Sequence, residues 1–529
     1  MAHRPASPGT RVPLFLSIAL LFGIFLGVLI TRFMPDQVTE VQVVKPDGGT
    51  PKGLVDEVLQ HIDVHYVDTI DDRRLEEEAV ASILEGLDPH SFYIPPRDLQ
   101  AVNEDLDGEF QGIGIEFFVV RDTITVVTPI AGGPSEELGI RAGDKIIEID
   151  DTLVAGIDIT NRQVMNKLRG PKGSEVSVGI LRAGSPELID YRITRDDIPL
   201  ISVDAGYMLD ETTGYIKINR FSATTHQEFY ETLKPLVDQG MDELVIDLRQ
   251  NPGGYLNAAV RIADELLDGE KLVVYTEGKA SPRYDYVANK PGLFESGDVT
   301  VLIDEGSASA SEILAGAIQD WDRGTVVGRR SYGKGLVQDQ FILRDDGALR
   351  LTVAKYYTPS GRCIQRPYDD GIDAYYDDFY ERYENGELYT ADSVEFSDTT
   401  TYYTLVEERP VYGGGGIMPD VFHPADTVRN NRYTARLRQY IPEFVYGYYA
   451  NHAGDFTRFD RVNDFVNGFS VSDALLQDFL DHAEGAGWRG DRSRLDRGDN
   501  ASAIRHQIKA FIAKQIWKYP GYYRVLNEE

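Results

Sequence analysis

The sequence predicts a mixed α/β protein with a separate β-rich module and an N-terminal membrane-spanning segment. Between residues 199 and 300, strand-like apolar runs alternate with helical apolar spacing, which is typical of a largely parallel sheet covered by helices. Residues 103–196 contain short strands separated by Gly-containing turns. Residues 12–30 form an uncharged apolar run of 19 residues, which is long enough to cross a bilayer core.

The N-terminal segment, residues 1–35, is predicted to be a membrane anchor. Arg4 and Arg11 precede the apolar run, so the N-terminus should remain in the cytoplasm. After Ile30 there is no Ala-x-Ala-like cleavage site and no Cys for lipidation, which favours an uncleaved anchor over a cleaved signal peptide. Both alternatives place the rest of the chain outside the cytoplasm. We therefore expect a single-pass protein of the inner (cytoplasmic) membrane whose folded part faces the periplasmic or extracytoplasmic side.

The composition argues against several functional classes. The 529-residue chain has a formal net charge of −33, so it offers no basic surface for nucleic acid. Its single cysteine, Cys363, cannot form a disulfide within one chain and is expected to be inert. The nine His residues are scattered without the spacing of metal ligands, and we expect neither a metal nor a cofactor.

Residues 36–102 are predicted to be a linker followed by a helical region. Pro, Gly and Asp mark the linker over residues 36–53. Apolar residues then recur at helical spacing between Leu54 and Leu87. A loop follows, and His90 within it is predicted to be a structural hydrogen-bonding residue rather than a catalytic one.

Residues 103–196 are predicted to form one compact module. Strands are predicted around residues 117–120, 124–127, 176–182 and 191–195, and a helix over residues 161–168. The segment Pro134-Ser-Glu-Glu-Leu-Gly-Ile-Arg-Ala-Gly-Asp-Lys-Ile-Ile-Glu-Ile149 resembles the helix, turn and strand of a PDZ domain. That resemblance implies that the loop Gly112-Ile113-Gly114-Ile115 offers N–H groups to a peptide C-terminal carboxylate, while the peptide adds to the sheet as a strand. A glycine-rich hairpin turn without a ligand is the alternative interpretation of this loop.

Residues 197–427 carry the alternating strands and helices of the α/β core. The predicted elements are strands at 214–218, 243–249, 299–304, 325–328 and 349–357 and helices at 225–239, 256–267 and 313–321. Two turns each lie between a strand and a helix: Asn251-Pro-Gly-Gly254 and Ser307-Ala-Ser-Ala-Ser-Glu312. The serine-containing turn brings free N–H groups and a helix N-terminus beside small hydroxyl-bearing side chains, so it can expose a nucleophile. The glycines would also suit a turn that only requires positive φ.

The turn Ser331-Tyr-Gly-Lys-Gly335 allows three functional interpretations. A phosphate-binding P-loop requires Ser or Thr after the Lys, where this chain has Gly335. An S-x-x-K site of the penicillin-binding type requires S-D-N and K-T-G, and neither occurs in the sequence. The third interpretation is a Ser–Lys hydrolase, in which an uncharged Lys takes a proton from a Ser. No Gly-x-Ser-x-Gly elbow is present, which argues against an ordinary α/β-hydrolase site.

These turns together resemble those of the carboxy-terminal processing proteases, also called tail-specific proteases. The resemblance covers most of residues 54–425 and is carried by the Ser-Ala-Ser-Ala-Ser-Glu turn, the following Gly-Lys-Gly and Gln338. It implies that Ser309 is the nucleophile, that Lys334 is the general base, and that Gln338 orients Lys334. Lys334 and Gln338 are four residues apart, so their side chains face the same way on either a helix or a strand.

The same resemblance implies the remaining parts of the site and the overall fold. The N–H of Gly253 or Gly254, together with that of Ala310, would form the oxyanion hole. The core would have the fold of the crotonases and of Clp protease. The predicted function is a serine endopeptidase that cleaves protein or peptide substrates near a free C-terminus recognised by the PDZ domain. The alternative is a membrane-anchored PDZ adaptor with an inactive core, and the presence of all three predicted catalytic residues argues against it.

Each catalytic candidate also has an ordinary structural interpretation. Ser309-Ala-Ser-Glu312 fits a helix capping box, in which the Ser hydroxyl only satisfies a backbone N–H. Lys334 alone would be a solvated surface residue, and Gln338 alone an ordinary strand residue. Their joint occurrence favours the catalytic interpretation.

Two further segments extend beyond the motifs of the core. Residues 366–411, rich in Tyr, Asp and Glu, are longer than the family's usual connection and are predicted to be an acidic surface insertion. Residues 428–529 are predicted to be a helical extension, with apolar periodicity over 437–449, 475–483 and 504–519. The extension could cover the protease core or build a homodimer, and the sequence does not choose between them.

Overall fold

The computed structural model describes residues 53–395, 398, 400–426 and 431–528. The predicted anchor over residues 1–35 and nearly all of the predicted linker lie outside the described residues. Within the described part of the chain, no helix is both long enough and apolar enough to span a membrane. The chain divides into two compact units, residues 1–76 and 77–529, which are described separately.

The predicted helical region is confirmed as two helices. Helix α1 (Leu54–His65) lies in the first unit, and helix α2 (Asp72–Glu85) begins in it and ends in the second. Strand β1 (Phe92–Ile94) and helix α3 (Pro96–Asp107) follow. Helix α3 begins with Pro at its first position and ends at Gly108, whose φ of 79° is a left-handed conformation that glycine adopts without strain.

The β-rich module is an antiparallel sheet flanked by a helix. Its strands are β3 (Ile115–Val120), β4 (Thr123–Pro129), β5 (Lys145–Ile149), β6 (Thr152–Leu153), β7 (Glu175–Leu181) and β8 (Ile189–Thr194), and its helices are α4 (Pro134–Glu137) and α5 (Asn161–Leu168). The strand order is β3-β4-β5-β7-β8, with β6 paired to β5. Strand β3 is therefore an outer strand, with no partner strand on its outer edge among the described residues. The two flanking strands, β2 (Glu109–Gly112) and β9 (Asp196–Pro199), pair with each other, so the chain enters and leaves the module side by side.

The α/β core contains the largely parallel sheet that the sequence predicts. Its strands are β10 (Val203–Met208), β11 (Thr213–Ile218), β12 (Glu243–Asp247), β15 (Asp298–Ile303), β16 (Thr325–Gly328) and β21 (Val421–Phe422). They lie in the order β10-β11-β12-β15-β16-β21, and all pairs are parallel except β10 with β11. Helices α6 (Thr225–Asp238), α7 (Leu256–Asp264) and α8 (Ala310–Asp320) connect them. Helix α8 is apolar on nearly every side, and all of its residues are buried.

This topology brings the two predicted turns to the same edge of the sheet. Strands β12 and β15 are parallel neighbours, so the turns after their carboxyl ends emerge side by side. A second, antiparallel sheet supplies the segment that carries Gln338. Besides β1 it contains β13 (Lys271–Glu277), β14 (Tyr284–Ala288), β17 (Leu336–Ile342) and β18 (Ala348–Tyr357). Its strand order is β1-β18-β13-β14, and β17 pairs with β18.

The insertion over residues 366–411 is only partly a surface element. It contains helix α9 (Ile372–Glu384) and the hairpin of β19 (Thr401–Tyr403) with β20 (Pro410–Tyr412). Tyr375 and Arg382 lie seven residues apart on α9, hence on one face, and both are buried. The guanidinium of Arg382 donates to the carbonyl oxygen of Ser331 at 2.8 Å. The expectation of a surface insertion is therefore wrong for this inner face, because its side chains complete the core beneath the loop that holds Lys334.

The C-terminal extension is helical, as predicted, and has a core of its own. Its helices are α10 (Arg432–Arg438), α11 (Ile441–Phe456), α12 (Val462–Gly468), α13 (Asp473–Gly485) and α14 (Asn500–Leu526). Phe444, Phe465 and Phe479 are among its buried residues. The hydroxyl of Tyr446 donates to the carbonyl oxygen of Val126 in the β-rich module at 3.1 Å. The extension thus covers other parts of the chain, and the homodimer stays a prediction.

Candidate active site

The serine-rich turn between β15 and α8 contains two serines whose hydroxyls are used within the fold. Ser307 and Ser311 are fully buried. The Ser307 hydroxyl donates to the carbonyl oxygen of Leu248 at 2.8 Å and accepts the N–H of Asp304 at 2.9 Å. The Ser311 hydroxyl donates to the carbonyl oxygen of Asn251 at 3.0 Å. Both serines therefore connect this turn by hydrogen bonds to the loop that follows β12.

Ser309 differs from its two neighbours in conformation and surroundings. It lines a cavity of about 930 Å³ together with Lys334 and Gln338. Its φ of 55° and ψ of −112° are rare for a residue with a Cβ, and such strain typically costs about 1–3 kcal/mol. Its N–H donates to Glu312 Oε2 at 2.8 Å, but within the described residues its hydroxyl makes no capping hydrogen bond. The carboxylate half of the predicted capping box is therefore in use, and Ser309 lines the cavity.

The Asn-Pro-Gly-Gly loop lies against the serine-rich turn. At Gly253, where φ is 91°, a Cβ would lie 2.8 Å from the Cβ of Ser309, so any larger residue would push the loop away. The Gly253 N–H donates to the side-chain oxygen of Asn251 at 2.9 Å. Among the described residues no acceptor is recorded for the N–H of Gly254, and that of Ala310 belongs to the first residue of α8, where no helical carbonyl can accept it.

Lys334 is half-buried beside the cavity. Its Nζ donates to Gln338 Oε1 at 3.1 Å, and the Gln338 amide donates in turn to the carbonyl oxygen of His90. The pKa of Lys334 is lowered, chiefly because burial disfavours the ammonium form and next because the positive charge of Arg350 lies nearby. The guanidinium of Arg350 hydrogen-bonds to Gln340 at 2.7 Å and forms no ion pair among the described residues.

The contact between Lys334 and Gln338 depends on an irregular backbone. In a regular strand, residues four apart would be separated by about 13 Å, too far for this hydrogen bond. Lys334 instead precedes β17, and the pairing of β17 with β18 shifts register between Val337 and Gln338. The four-residue spacing alone therefore does not explain the hydrogen bond between Lys334 and Gln338. The bend before β17 and the bulge at Gln338 bring the two side chains together.

Glu312 links the serine-rich turn to the loop that holds Lys334. The sequence alone predicts for Glu312 only a place in a helix capping box. One carboxylate oxygen accepts the Ser331 hydroxyl at 2.5 Å and the Gly333 N–H at 2.7 Å. The other accepts the N–H groups of Ser309 at 2.8 Å and Lys334 at 2.9 Å. Burial raises the pKa of Glu312 to about 7, against the effect of these hydrogen bonds, which favour the ionised form. An acidic residue within an otherwise apolar, buried helix was the signal available in the sequence.

A buried tyrosine hydroxyl makes a second connection between the same two segments. Tyr356 in β18 lies with its hydroxyl 2.5 Å from the carbonyl oxygen of Lys334 and 3.1 Å from that of Ser309. Because Tyr356 is fully buried in the core, it fixes the spacing of the two backbones.

The inner face of the insertion supports the Lys334 loop from the other side. The Tyr375 hydroxyl lies 2.8 Å from His90 Nε2, and burial lowers the pKa of His90 to about 4, so this ring is neutral near pH 7. The guanidinium of Arg366 lies over the rings of Tyr332 and Tyr375, 4.1 and 3.8 Å from their centroids. The Arg366 N–H donates to the carbonyl oxygen of Gly333 at 3.0 Å. The insertion thus contacts both the Lys334 loop and the residue that anchors Gln338.

The predicted carboxylate-binding loop is largely buried: Gly112, Ile113 and Gly114 are buried and Ile115 is half-buried. Gly112 ends β2, Gly114 has a φ of 72°, and Ile115 begins β3. Ile113 is only 2% exposed and packs in the core of the module, with its carbonyl oxygen accepting the Ser135 N–H at 3.2 Å. The Ile113 side chain therefore does not line an open groove in this conformation. The N–H groups of Ile113 and Gly114 have no recorded acceptor among the described residues.

The described residues contain no group of three or more His, Cys, Asp or Glu side chains arranged to hold a metal ion. Cys363 is a free thiol whose pKa is raised by burial, which disfavours the reactive thiolate.

Comparison with known proteins identifies the family. Residues 212–374 match Peptidase family S41, residues 111–193 match a PDZ domain, and residues 433–518 match a family of unknown function. Over 313 residues the chain is 36% identical to the carboxy-terminal-processing protease of Bartonella bacilliformis, covering 58% of this chain and 71% of that one. Over 350 residues it is 33% identical to the carboxy-terminal processing protease CtpB of Bacillus subtilis, covering 65% and 72% of the two chains. A solved photosystem II D1 C-terminal processing protease is 26% identical with a TM-score of 0.37, over 70% of this chain and 92% of that one. The chain therefore belongs to the carboxy-terminal processing proteases, serine peptidases of family S41 that carry a PDZ domain.

Proposed function

We propose that this protease cuts peptide bonds with Ser309 as nucleophile and Lys334 as general base. The observation that carries the proposal is that Ser309 shares a cavity with Lys334 and Gln338, whereas the hydroxyls of Ser307 and Ser311 are donated to backbone carbonyls. No hydrogen bond to another described residue occupies the Ser309 hydroxyl, which leaves it available for attack. The inactive-adaptor alternative has no comparable support, because an adaptor needs none of these residues together.

Proton transfer in the proposed mechanism starts from neutral Lys334. Burial and the charge of Arg350 favour the neutral amine, and the hydrogen bond to Gln338 uses one of its N–H groups. The amine lone pair takes the proton of the Ser309 hydroxyl as the oxygen bonds to the substrate carbonyl carbon. The ammonium then gives that proton to the leaving amine as the C–N bond breaks. A water molecule repeats the sequence on the acyl-enzyme and releases the new C-terminus.

The negative oxygen of the tetrahedral intermediate needs donors that are already in place. We assign the N–H groups of Gly254 and Ala310 to this role, since neither has another acceptor recorded among the described residues. Gly253 is the weaker of the two glycine candidates because its N–H donates to Asn251. A lost oxyanion donor typically costs about 3–4 kcal/mol of transition-state stabilisation, so this loop is expected to be intolerant of change.

The three serines of the turn provide a matched test of the nucleophile. Ser309→Ala should abolish cleavage of an unstructured protein, while Ser307→Ala and Ser311→Ala should retain measurable activity. Each substitution removes one serine hydroxyl from the same turn. Thermal melting of the three variants distinguishes a loss of stability from a loss of catalysis. Cleavage by Ser309→Ala at the rate of the parent would refute the assignment.

We propose that the PDZ domain selects substrates by their free C-terminus. Support comes from the outer edge of β3 and from the N–H groups of Ile113 and Gly114, for which the described residues supply no partner strand and no acceptor. A carboxylate is charged and accepts stronger hydrogen bonds than an amide cap, and the peptide could pair with β3 as an added strand. An unstructured peptide with an apolar free C-terminus should therefore be cut faster than its amidated twin. Equal initial rates would refute tail recognition without touching the Ser309 chemistry.

We also propose that the chain is anchored in the cytoplasmic membrane with its catalytic part outside the cytoplasm. The support is the uncharged run over residues 12–30 and the arginines before it. Protease treatment of intact spheroplasts should digest the folded part, and its full protection would contradict this location. The likeness of the core to the crotonase and Clp-protease folds likewise stays a prediction.

A further inference from the structure

The end of the C-terminal extension reaches the catalytic cavity. Tyr519 and Tyr523, one turn apart in the last part of α14, line the same cavity as Ser309 and Lys334. Their rings are stacked, with centroids 6.3 Å apart and planes inclined by 28°. The C-terminal extension, which carries none of the catalytic motifs, thus forms part of the wall of the cavity that contains Ser309.

The position of these tyrosines is fixed by polar contacts with the protease core. The Tyr523 hydroxyl donates to Asp204 Oδ2 at 3.1 Å, and Asp204 also accepts the side-chain amide of Asn219 at 2.6 Å. The neighbouring guanidinium of Arg524 donates to the carbonyl oxygen of Leu209 at 2.9 Å. Tyr523 is half-buried, so the wall formed by the extension is set before a substrate binds.

A break in α14 directs the tyrosines toward the cavity. Trp517 and Lys518 have non-helical backbone angles, with φ at 59° for Lys518, directly before Tyr519. On the N-terminal side of Tyr519, Lys514 pairs with Glu116 of β3 at 3.4 Å and Lys518 donates to a β4 side chain at 3.2 Å. The helix therefore contacts the strand proposed to bind the substrate tail and continues directly to the cavity that contains Ser309.

We propose that Tyr519 and Tyr523 bind substrate and select an apolar or aromatic side chain beside the bond that is cut. This inference rests on the proposed site at Ser309. Tyr519 keeps 40% of its surface exposed, although the Tyr523 ring stacks on it and the Lys514 ammonium lies 4.2 Å from its ring centroid. The cavity is also lined by Tyr255, Leu256, Tyr286 and Val337, which are at least partly exposed, so a side chain held there can contact apolar surface. Aromatic contacts favour apolar groups over hydroxyl-bearing or acidic ones, which would lose water without gaining a partner.

Paired peptides test the proposed selectivity. Two unstructured peptides with the same apolar free C-terminus carry either Phe or Ser on one side of the cleaved bond, and a second pair varies the other side. One of the pairs should show a preference for Phe in kcat/KM, and Tyr519→Leu should reduce it by about two- to tenfold, mainly through KM. Tyr449→Leu is the matched control, since Tyr449 belongs to the same extension but its ring packs against Phe456 at 5.8 Å, away from the residues that line the cavity. Tyr523→Phe should keep the preference, because the ring face remains.

A crosslinking measurement is independent of turnover. The Phe peptide is made with a photoreactive benzophenone in place of that side chain and bound to Ser309→Ala in the full chain. Crosslinks at residues 519–523 are expected, together with the lowered preference of Tyr519→Leu. An unchanged preference in a folded Tyr519→Leu variant overturns the proposal, as do crosslinks confined to other parts of the cavity. If a variant loses its fold, the crosslink alone decides. Cleavage by Ser309→Ala would instead refute the proposed nucleophile and leave the crosslink result interpretable.

Discussion

Glu312 connects the turn that carries Ser309 to the loop that carries Lys334, and Glu312→Gln tests the charge state of that connection. The carboxyl group is fully buried and accepts four hydrogen bonds. Burial nevertheless raises its pKa from 4.5 to about 7. Gln has the shape of Glu but carries an NH2 group in place of one oxygen, so it can accept only two of the four hydrogen bonds. The substitution therefore removes the titration and adds a loss of stability that does not depend on pH.

The raised pKa predicts a specific dependence of stability on pH. A carboxyl group whose pKa is higher in the folded protein than in the unfolded chain holds its proton more tightly when folded. Its contribution to the free energy of unfolding is fully present below 4.5 and is lost as pH rises through about 7. Since one pKa unit corresponds to about 1.4 kcal/mol, the whole contribution is about 3 kcal/mol, and about 2 kcal/mol of it is lost between roughly pH 5.5 and pH 8.

The measurement compares urea unfolding of the parent and of Glu312→Gln across that pH range. The chain has three tryptophans, and replacing Trp488 and Trp517 by Phe in both proteins leaves the signal to Trp321, which directly follows α8. The parent should lose about 2 kcal/mol relative to the variant as pH rises. A difference that stays constant would refute the reasoning, because it would mean that the four hydrogen bonds keep Glu312 ionised throughout.

Two further substitutions test how the base is held. Because Arg350 lowers the pKa of Lys334, Arg350→Gln should raise that pKa and move the rise of kcat with pH to higher pH. Arg350→Lys keeps the positive charge and should keep the pH profile of the parent. Identical profiles for all three proteins would show that Arg350 does not tune Lys334. Tyr375→Phe removes the hydroxyl that contacts His90. The loss of one hydrogen bond of about 1 kcal/mol should lower kcat about fivefold and leave KM unchanged. A loss of thermal stability without a change in kcat would assign Tyr375 to packing alone.

The parts of the fold that repeat a simple pattern could be predicted from the sequence. Strands β11, β12, β15 and β16 are short apolar runs between turn residues, and their alternation with helices specifies a parallel sheet. Parallel neighbours then bring the Asn-Pro-Gly-Gly loop and the serine-rich turn to one edge, so the meeting of these two motifs follows from topology. Identifying Ser309 among three serines needed the structure or the family resemblance, because the sequence does not show which hydroxyls are already hydrogen-bonded.

The role of Glu312 could not be predicted because its donors come from distant parts of the chain. Ser331 and Gly333 lie 19 and 21 residues after Glu312, beyond the rest of α8 and strand β16, and their hydrogen bonds exist only after the core has formed. The position of Gln338 is similar: its amide is held by His90, which belongs to a loop far upstream. Local patterns report periodicity and turns, whereas these contacts are set by long-range packing.

The protonation state of Lys334 is likewise a property of the assembled fold. A Lys between two glycines would be exposed and charged if only its neighbours in sequence surrounded it. Its lowered pKa comes first from burial and then from the charge of Arg350 on β18. Tyr356 of β18 and Arg366 of the insertion both hydrogen-bond to the loop that holds Lys334. The motif can therefore name the base, but its competence as a base depends on segments outside the motif. For this reason the insertion is expected to affect the pH at which the enzyme works, and not only its stability.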